Sequence, residues 1–115
     1  MAKNTVWLVG VGGSGRTTLA VALAAFHCRR PGIVCALATE FGAVHRFDAD
    51  AGDFADDAHK PELRSDADFL FVEVQPSRFN SSMLRAGDHV ARVERVSFDV
   101  AQPATALTAQ GVAHA

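Results

Sequence analysis

The sequence has few cysteines, no strong excess of charge of either sign and no long hydrophobic run. Its two cysteines, Cys28 and Cys35, match no common zinc or redox spacing and cannot form a disulfide framework. We therefore expect buried free thiols in a reducing, cytoplasmic compartment. No stretch approaches the roughly 18 consecutive apolar residues that a membrane span requires, so a membrane is not among the predicted partners.

The charge balance excludes a globally basic protein. With 11 basic and 13 acidic residues, the formal net charge is -2. A chain with this balance has no overall attraction for nucleic acid. Several arginines are nevertheless concentrated in segment 78–95, which predicts either an ordinary solvated face or a local patch for a protein or DNA partner.

Length and composition indicate one globular domain. The chain has 115 residues, of which 49% are hydrophobic and 21% charged. We place the domain at residues 1–100. Residues 101–115 are rich in alanine and threonine with little to bury, which predicts a frayed tail.

Three apolar runs, at residues 5–9, 33–38 and 69–74, predict buried strands of a parallel sheet. Between the first two runs, Leu19, Leu23 and Phe26 recur at helical spacing and predict a helix over residues 17–29. A strand, a helix and a second strand in this order predict a right-handed βαβ unit. The expected fold class is therefore α/β, with a mainly parallel three-layer sheet.

Two further segments carry weaker signals. Residues 45–68 are rich in aspartate and glutamate and poor in large apolar side chains. They predict a mostly exposed loop with a short helix. A loop of this length is typical of mobile or functional segments. Alternating apolar residues over 90–100 predict one more strand near an edge of the sheet.

The most informative motif is the loop Gly10-Val-Gly-Gly-Ser-Gly15-Arg16-Thr17, which follows the phosphate-loop pattern GxxxxGK[ST] with arginine in the lysine position. Glycines let successive backbone N–H groups point at phosphate oxygens, and the helix that begins near Gly15 adds the positive end of its dipole. The hydroxyl of Thr17 is the predicted magnesium ligand. The predicted ligand-binding residues are Gly10, Gly12, Gly13, Ser14, Gly15, Arg16, Thr17 and Thr18.

The same loop admits two other interpretations. Gly10, Gly12 and Gly15 also satisfy GxGxxG, the dinucleotide pattern of Rossmann folds, in which an acid that ends the second strand holds a ribose. Glu40 has that place here, and the ligand would then be NAD or FAD. A structural turn in a scaffold that only binds protein partners is the third interpretation. The hydroxyls that follow Arg16 favour the phosphate loop, because a Rossmann helix needs none there.

Two stretches resemble a known family. The stretch from Val11 to Ala20, VGGSGRTTLA, resembles the KGGxGKTTLA motif of the ParA/MinD-type ATPases, the deviant Walker A group of the P-loop NTPases. The stretch ADFLFVEVQPS, residues 67–77, is similar to the strand written ADxVLxPxQPS in plasmid-partition ATPases. The resemblance implies ATP and Mg²⁺ as cofactors, a function in a plasmid or mobile element, and a homodimer.

The chain departs from that family at two positions, because Val11 and Arg16 stand where the family has lysines. The first of those lysines reaches across a nucleotide-bound dimer in the family, and arginine is not interchangeable with the second. The resemblance with these departures implies ATP binding with weak or no hydrolysis.

Glu73 follows the apolar run 69–72, which is the layout of a Walker B strand with its acid. Such an acid holds magnesium or orients the attacking water. Arg16 and Glu73 are therefore the candidate catalytic residues, and Thr17 and Glu73 the candidate metal ligands. A strand-end acid without a catalytic role is the alternative for Glu73. We interpret Glu40, the histidines and the acidic run 48–57 as groups without a ligand, and the run does not match an EF-hand.

Overall fold

The computed structural model describes residues 2–56 and 59–94. Within these residues the chain forms an α/β fold with one mixed sheet of six strands, and the strand order is β4-β3-β2-β5-β1-β6. In chain order the elements are β1 (Asn4–Val9), α1 (Arg16–His27), β2 (Cys35–Ala38), β3 (Val44–Asp48), β4 (Asp53–Phe54), α2 (Leu63–Asp66), β5 (Phe69–Val74), a 3-10 helix (Ser81–Met83) and β6 (His89–Arg92).

Four neighbouring strands, β2, β5, β1 and β6, run parallel to one another. The three apolar runs form β1, β2 and β5, so their prediction as strands is confirmed. Strand β1 lies between β5 and β6, with Leu8 opposite Glu73 and Val9 opposite both Val74 and Arg92. Because the strands are parallel, the residues that follow β1, β2 and β5 meet at one edge of the sheet.

The prediction for residues 45–68 is wrong in one respect: most of the described residues are exposed, as predicted, but part of the segment forms strands instead of a loop. This segment contributes most of an antiparallel hairpin, in which β3 pairs with β2 and β4 pairs with β3. The rings of Phe47 and Phe54 pack edge to face with their centroids 5.2 Å apart, and both residues are buried. Burial of these two rings favours the strands, while Asp48 and Asp53 remain exposed. The sheet is therefore parallel only in part, and the predicted short helix is α2.

Apolar clusters pack against both faces of the sheet. Cys35 and Leu37 belong to one cluster, which includes side chains of α1, whereas Ala36 and Ala38 belong to a second cluster with Leu63 of α2. Successive residues of a strand point to opposite faces, so the two clusters lie on opposite sides of β2.

Helix α1 packs on the sheet with part of the predicted face, because the half-buried Leu19 and Leu23 contact one apolar cluster. Ala20 and Ala24 are fully buried, whereas Phe26 is 56% exposed, so the prediction that Phe26 is part of the apolar face is wrong. Small side chains let the helix approach the sheet closely. Arg16 lies four residues before Ala20, on the same stripe of the helix, and is therefore buried as well.

The last described strand, β6, lies at an edge of the sheet, as predicted, and spans His89–Arg92. The remainder of the predicted strand, residues 95–100, and the predicted tail at 101–115 lie outside the described residues. Among the helices of the described ranges, none has the length and apolar character needed to cross a membrane. Cys35 is buried and Cys28 half-buried, and both are free thiols.

Candidate functional site

The glycine loop connects β1 to α1 at the carboxyl edge of the parallel strands. The N–H group of Gly10 donates to the carbonyl of Val74 at 3.1 Å, which fixes the start of the loop to β5. A Cβ atom at Gly10 would lie 2.6 Å from the Oγ of Ser14 and 2.7 Å from the carbonyl oxygen of Val93. Gly13 and Gly15 have φ angles of 77° and 104°, which favour glycine. The loop therefore has its present course because these positions lack side chains.

Ser14 lies inside this loop and is only 6% exposed. Its backbone N–H donates to the carbonyl of Val11 at 3.1 Å. Its Oγ has no hydrogen-bond partner within the described residues. A buried hydroxyl without a partner costs free energy, so this oxygen marks a place where a ligand or water is expected.

Helix α1 begins directly after the loop, at Arg16, and no side chain caps its first turn. The first N–H groups of an uncapped helix have no partner inside the helix and carry the positive end of its dipole. A cavity of about 260 Å³ adjoins this turn and is lined by Gly13, Gly15, Arg16, Thr17 and Thr18. Together the cavity and the helix end form a concave surface suited to an anion.

Thr17 and Glu73 meet beside this cavity. The Thr17 hydroxyl donates to the Oε2 of Glu73, although 56 residues separate them in sequence. Glu73 is 8% exposed and lies on β5, opposite Leu8 of β1. The pairing of β1 with β5 therefore brings a buried carboxylate to the first turn of α1.

Arg16 pairs with a different carboxylate, that of Glu40, which lies two residues after the end of β2. Its guanidinium Nη1 donates to the Oε2 of Glu40 at 3.1 Å, and the Arg16 side chain is 7% exposed. Gln75, which directly follows β5, donates its Nε2 to the same oxygen at 3.0 Å. The hydrogen bond from Arg16, assisted by that from Gln75 and by the charge of Arg78, holds the pKa of Glu40 below its usual value.

The structure brings together most of the predicted site residues. Gly10, Ser14, Arg16, Thr17 and Glu73 converge on the carboxyl edge, and Gly13, Gly15 and Thr18 line the adjoining cavity. Gly12 is exposed with open space around it. Arg16 and Glu73 share no hydrogen-bond partner here, because Arg16 donates to Glu40 and Glu73 accepts from Thr17.

Two residues of this site are not among the predicted site residues. The sequence predicts a role for Glu40 only in the Rossmann alternative, whereas the structure pairs Glu40 with the buried Arg16. Gln75 was given no role. The available signal was position, because Gln75 directly follows β5 and Glu40 lies two residues after the end of β2, at the edge where α/β sheets gather their ligands.

Thr39 and two of the histidines form hydrogen bonds with the backbone of the hairpin and of the turn before it. Thr39 accepts a hydrogen bond from the N–H of Ala43, His59 accepts one from the N–H of Val44, and the Nδ1 of His45 lies 2.8 Å from the carbonyl oxygen of Ala55. These contacts close the turn after β2 and the strands beside it. They bring none of the three side chains to the glycine loop.

The basic segment 78–95 is described only as far as residue 94. The guanidinium of Arg92 lies 5.7 Å from the centre of the Phe79 ring, and Asp88 accepts a hydrogen bond from the indole of Trp7. This bond, together with the N–H of Arg85, keeps the pKa of Asp88 below its usual value. Arg95 lies outside the described residues.

Within residues 2–56 and 59–94, no three histidine, cysteine or acidic side chains converge on one point as a protein-only metal centre requires. Magnesium has a different requirement, because it keeps several waters and takes one or two carboxylates together with ligand phosphates. The hydroxyl of Thr17 and the carboxylate of Glu73 are suitable donors of that kind.

Comparisons of this chain with protein-family models, with curated proteins and with solved structures find no match.

Proposed function

We propose that this chain binds a nucleoside triphosphate, most simply ATP, together with Mg²⁺ through residues 10–18, and that it hydrolyses the triphosphate slowly or not at all. In this proposal the N-terminal strand, loop and helix are the phosphate-binding unit of a short, three-layer α/β protein. The protein would be of the ParA-like plasmid or mobile-element type.

The contact between Thr17 and Glu73 carries the proposal. P-loop proteins hold magnesium between a hydroxyl at the start of the helix and an acid at the end of a nearby strand. Thr17 and Glu73 have these two places, and the strand that carries Glu73 pairs directly with the strand before the loop. Bound Mg²⁺ would neutralise part of the phosphate charge at this point.

The loop itself supports an anionic ligand. The uncapped first turn of α1 supplies N–H groups, and the unpartnered Oγ of Ser14 adds a hydroxyl that lacks a hydrogen bond. The glycine at position 10 keeps the loop close to β6, because the carbonyl of Val93 leaves no room for a Cβ atom.

The same contacts support slow turnover. Arg16 is paired with Glu40, so its charge is already partly neutralised. Glu73 accepts a hydrogen bond from Thr17, which leaves it poorly placed to orient an attacking water. Both candidate catalytic side chains are therefore engaged in ground-state contacts.

The strand order favours the phosphate loop over the Rossmann alternative. In Rossmann folds the first and second strands are neighbours, with strand order 3-2-1-4-5-6. Here β5 lies between β1 and β2. Glu40 is also engaged by Arg16 and Gln75 rather than open toward a ribose.

A thermal-shift panel of ATP, GTP, ADP, NAD and FAD, each with Mg²⁺, tests the proposal. A ligand at 100 times its Kd adds about 2.7 kcal/mol to the free energy of unfolding, which raises Tm by about 10 °C in a domain of this size. We expect this for ATP or GTP. A shift with NAD or FAD alone would support the Rossmann alternative, and no shift with any nucleotide would support the scaffold.

Variants at two glutamates separate a specific magnesium contact from a general effect of charge. Glu73→Gln removes the buried carboxylate, and we expect it to abolish the part of the ATP shift that depends on Mg²⁺. Glu62→Gln changes an exposed acid outside the loop and should leave that part unchanged. Phosphate release from ATP, with and without DNA, in the wild type and in Arg16→Ala tests turnover, because equal rates in both proteins would exclude catalysis by Arg16.

The homodimer, the cytoplasmic location and the protein or DNA partner on segment 78–95 stay predictions of the sequence.

A further inference from the structure

Glu40 is the anionic partner of Arg16, the cation of the glycine loop. Arg16 is 7% exposed at the start of α1, and within the described residues Glu40 is its ion-pair partner. A buried guanidinium needs an anionic partner, because an unpaired charge in such a place is costly. The protein supplies that anion itself, from the end of a strand two positions away in the sheet.

The Glu40 carboxylate accepts hydrogen bonds from two side chains, as the anionic group of a bound ligand would. A single oxygen, Oε2, accepts from the Nη1 of Arg16 and from the Nε2 of Gln75, at 3.1 and 3.0 Å. Arg78 adds positive charge near the same carboxylate. Donors from α1 and from the residue after β5, together with a positive charge from the following segment, therefore converge on one negative group.

We propose that Glu40 is a positioning residue that competes with ligand phosphate for Arg16 and thereby sets the affinity of the glycine loop for phosphate anions. This inference rests on the proposed function, because it concerns the same site. The Glu40 carboxylate has two effects on an incoming anion. It occupies a guanidinium nitrogen that would otherwise donate to a phosphate oxygen, and its negative charge repels the charge of the phosphate.

The proposal also accounts for arginine at position 16. A guanidinium forms a planar fork that a carboxylate can hold in place, whereas a lysine ammonium is a compact charge on a flexible stem. Arginine is thus the cation better suited to a fixed pairing with Glu40 across the end of β5. A phosphate loop with this pairing binds its anion only to the extent that the ligand outcompetes an internal carboxylate.

Titration of inorganic pyrophosphate and of MgATP into the wild type, Glu40→Gln and Glu62→Gln tests this inference by calorimetry. Both variants remove one negative charge, so a general effect of net charge is the same in both. We expect Glu40→Gln to bind pyrophosphate about tenfold more tightly than the wild type, equivalent to about 1.4 kcal/mol. Glu62→Gln should bind as the wild type does.

A second pair of variants shows whether Glu40 acts through Arg16. In an Arg16→Gln background, the further change Glu40→Gln should raise the affinity much less than tenfold, because no guanidinium is left to release and only the charge repulsion is removed. A structural role of Glu40 would change the affinity equally in both backgrounds. If Glu40→Gln is too unstable to titrate, Glu40→Asp keeps the charge on a shorter side chain, and we expect a smaller gain in the same direction.

The outcomes separate this inference from the proposed function. Binding to the wild type with an unchanged or lower affinity in Glu40→Gln would overturn the competition and leave the proposed function intact. Absence of binding by pyrophosphate and MgATP in every variant would overturn both.

Discussion

The glycine-loop edge of the sheet and the β3–β4 hairpin both carry acidic side chains, yet they hold them in opposite ways. At the loop, Glu73 and Glu40 are partners of side chains on α1. In the hairpin, Asp48 and Asp53 are exposed and accept hydrogen bonds from N–H groups of nearby backbone. A high density of acids here indicates a solvated turn, whereas a few acids paired across distant elements indicate a site.

The largest expected effect would break the hairpin. Phe47→Ala removes a buried ring that packs against Phe54, and we expect a loss of about 3–5 kcal/mol in the free energy of unfolding. Phe41→Ala is the control, because Phe41 is 91% exposed and its change should stay within about 0.5 kcal/mol. Urea denaturation measures both. Similar small losses in the two variants would mean that this segment is the exposed loop that its composition suggested.

The next effect would break the loop. Gly10→Ala places a methyl group against the Ser14 hydroxyl and the Val93 carbonyl, and we expect it to cost about 1–3 kcal/mol through overpacking. Gly12→Ala is the matched control, because a Cβ atom at that position meets nothing within 4 Å. The midpoints of urea denaturation should therefore differ between these two variants. Equal midpoints would show that β6 is not held against the loop.

A smaller effect sharpens the difference between paired and solvated acids. Hydrogen bonds from Arg16 and Gln75 hold the pKa of Glu40 below its usual value in the folded protein, so the stabilisation is present at neutral pH and is lost as the pH falls through the folded pKa. We therefore expect Tm of Glu40→Gln to lie below that of the wild type at pH 7. The gap should close below about pH 4.5. A gap that stays constant with pH would separate the stability loss from the carboxylate charge.

The smallest effect concerns strand β2, which lies between the two regions. Burial, with the neighbouring Cys28 thiol, raises the pKa of Cys35 and keeps it in the unreactive thiol form. We expect a thiol reagent to modify half-buried Cys28 first and Cys35 only when the chain unfolds. Labelling of Cys28→Ser and Cys35→Ser, followed by mass spectrometry, compares the two rates. Fast labelling of Cys35 in the folded protein would show that β2 opens locally.

The parts of the fold that depend on local pattern could be predicted from the sequence. The apolar runs specified β1, β2 and β5, and the glycines between a strand and a helix specified the loop. The hairpin was missed because its charged residues outnumber Phe47 and Phe54, although burial of those two rings decides the structure.

The pairing of Arg16 with Glu40 could not be predicted for a different reason. It depends on β5 lying between β1 and β2, and the order of strands follows from contacts between distant parts of the chain. It also depends on α1 facing the sheet with Arg16, Ala20 and Ala24. Of the predicted face, Leu19 and Leu23 are only half-buried and Phe26 is exposed.

The position of β1 between two late strands has a consequence for how the protein folds. The N–H of Gly10 donates to the carbonyl of Val74, and the N–H of Val93 donates to the carbonyl of Val9. The glycine loop, which is synthesised early, is therefore held by segments that are synthesised late. Contacts of such long sequence separation form slowly, whereas the β3–β4 hairpin can form early from neighbouring residues. We therefore expect the nascent chain to hold its glycine loop open until β5 and β6 have emerged from the ribosome.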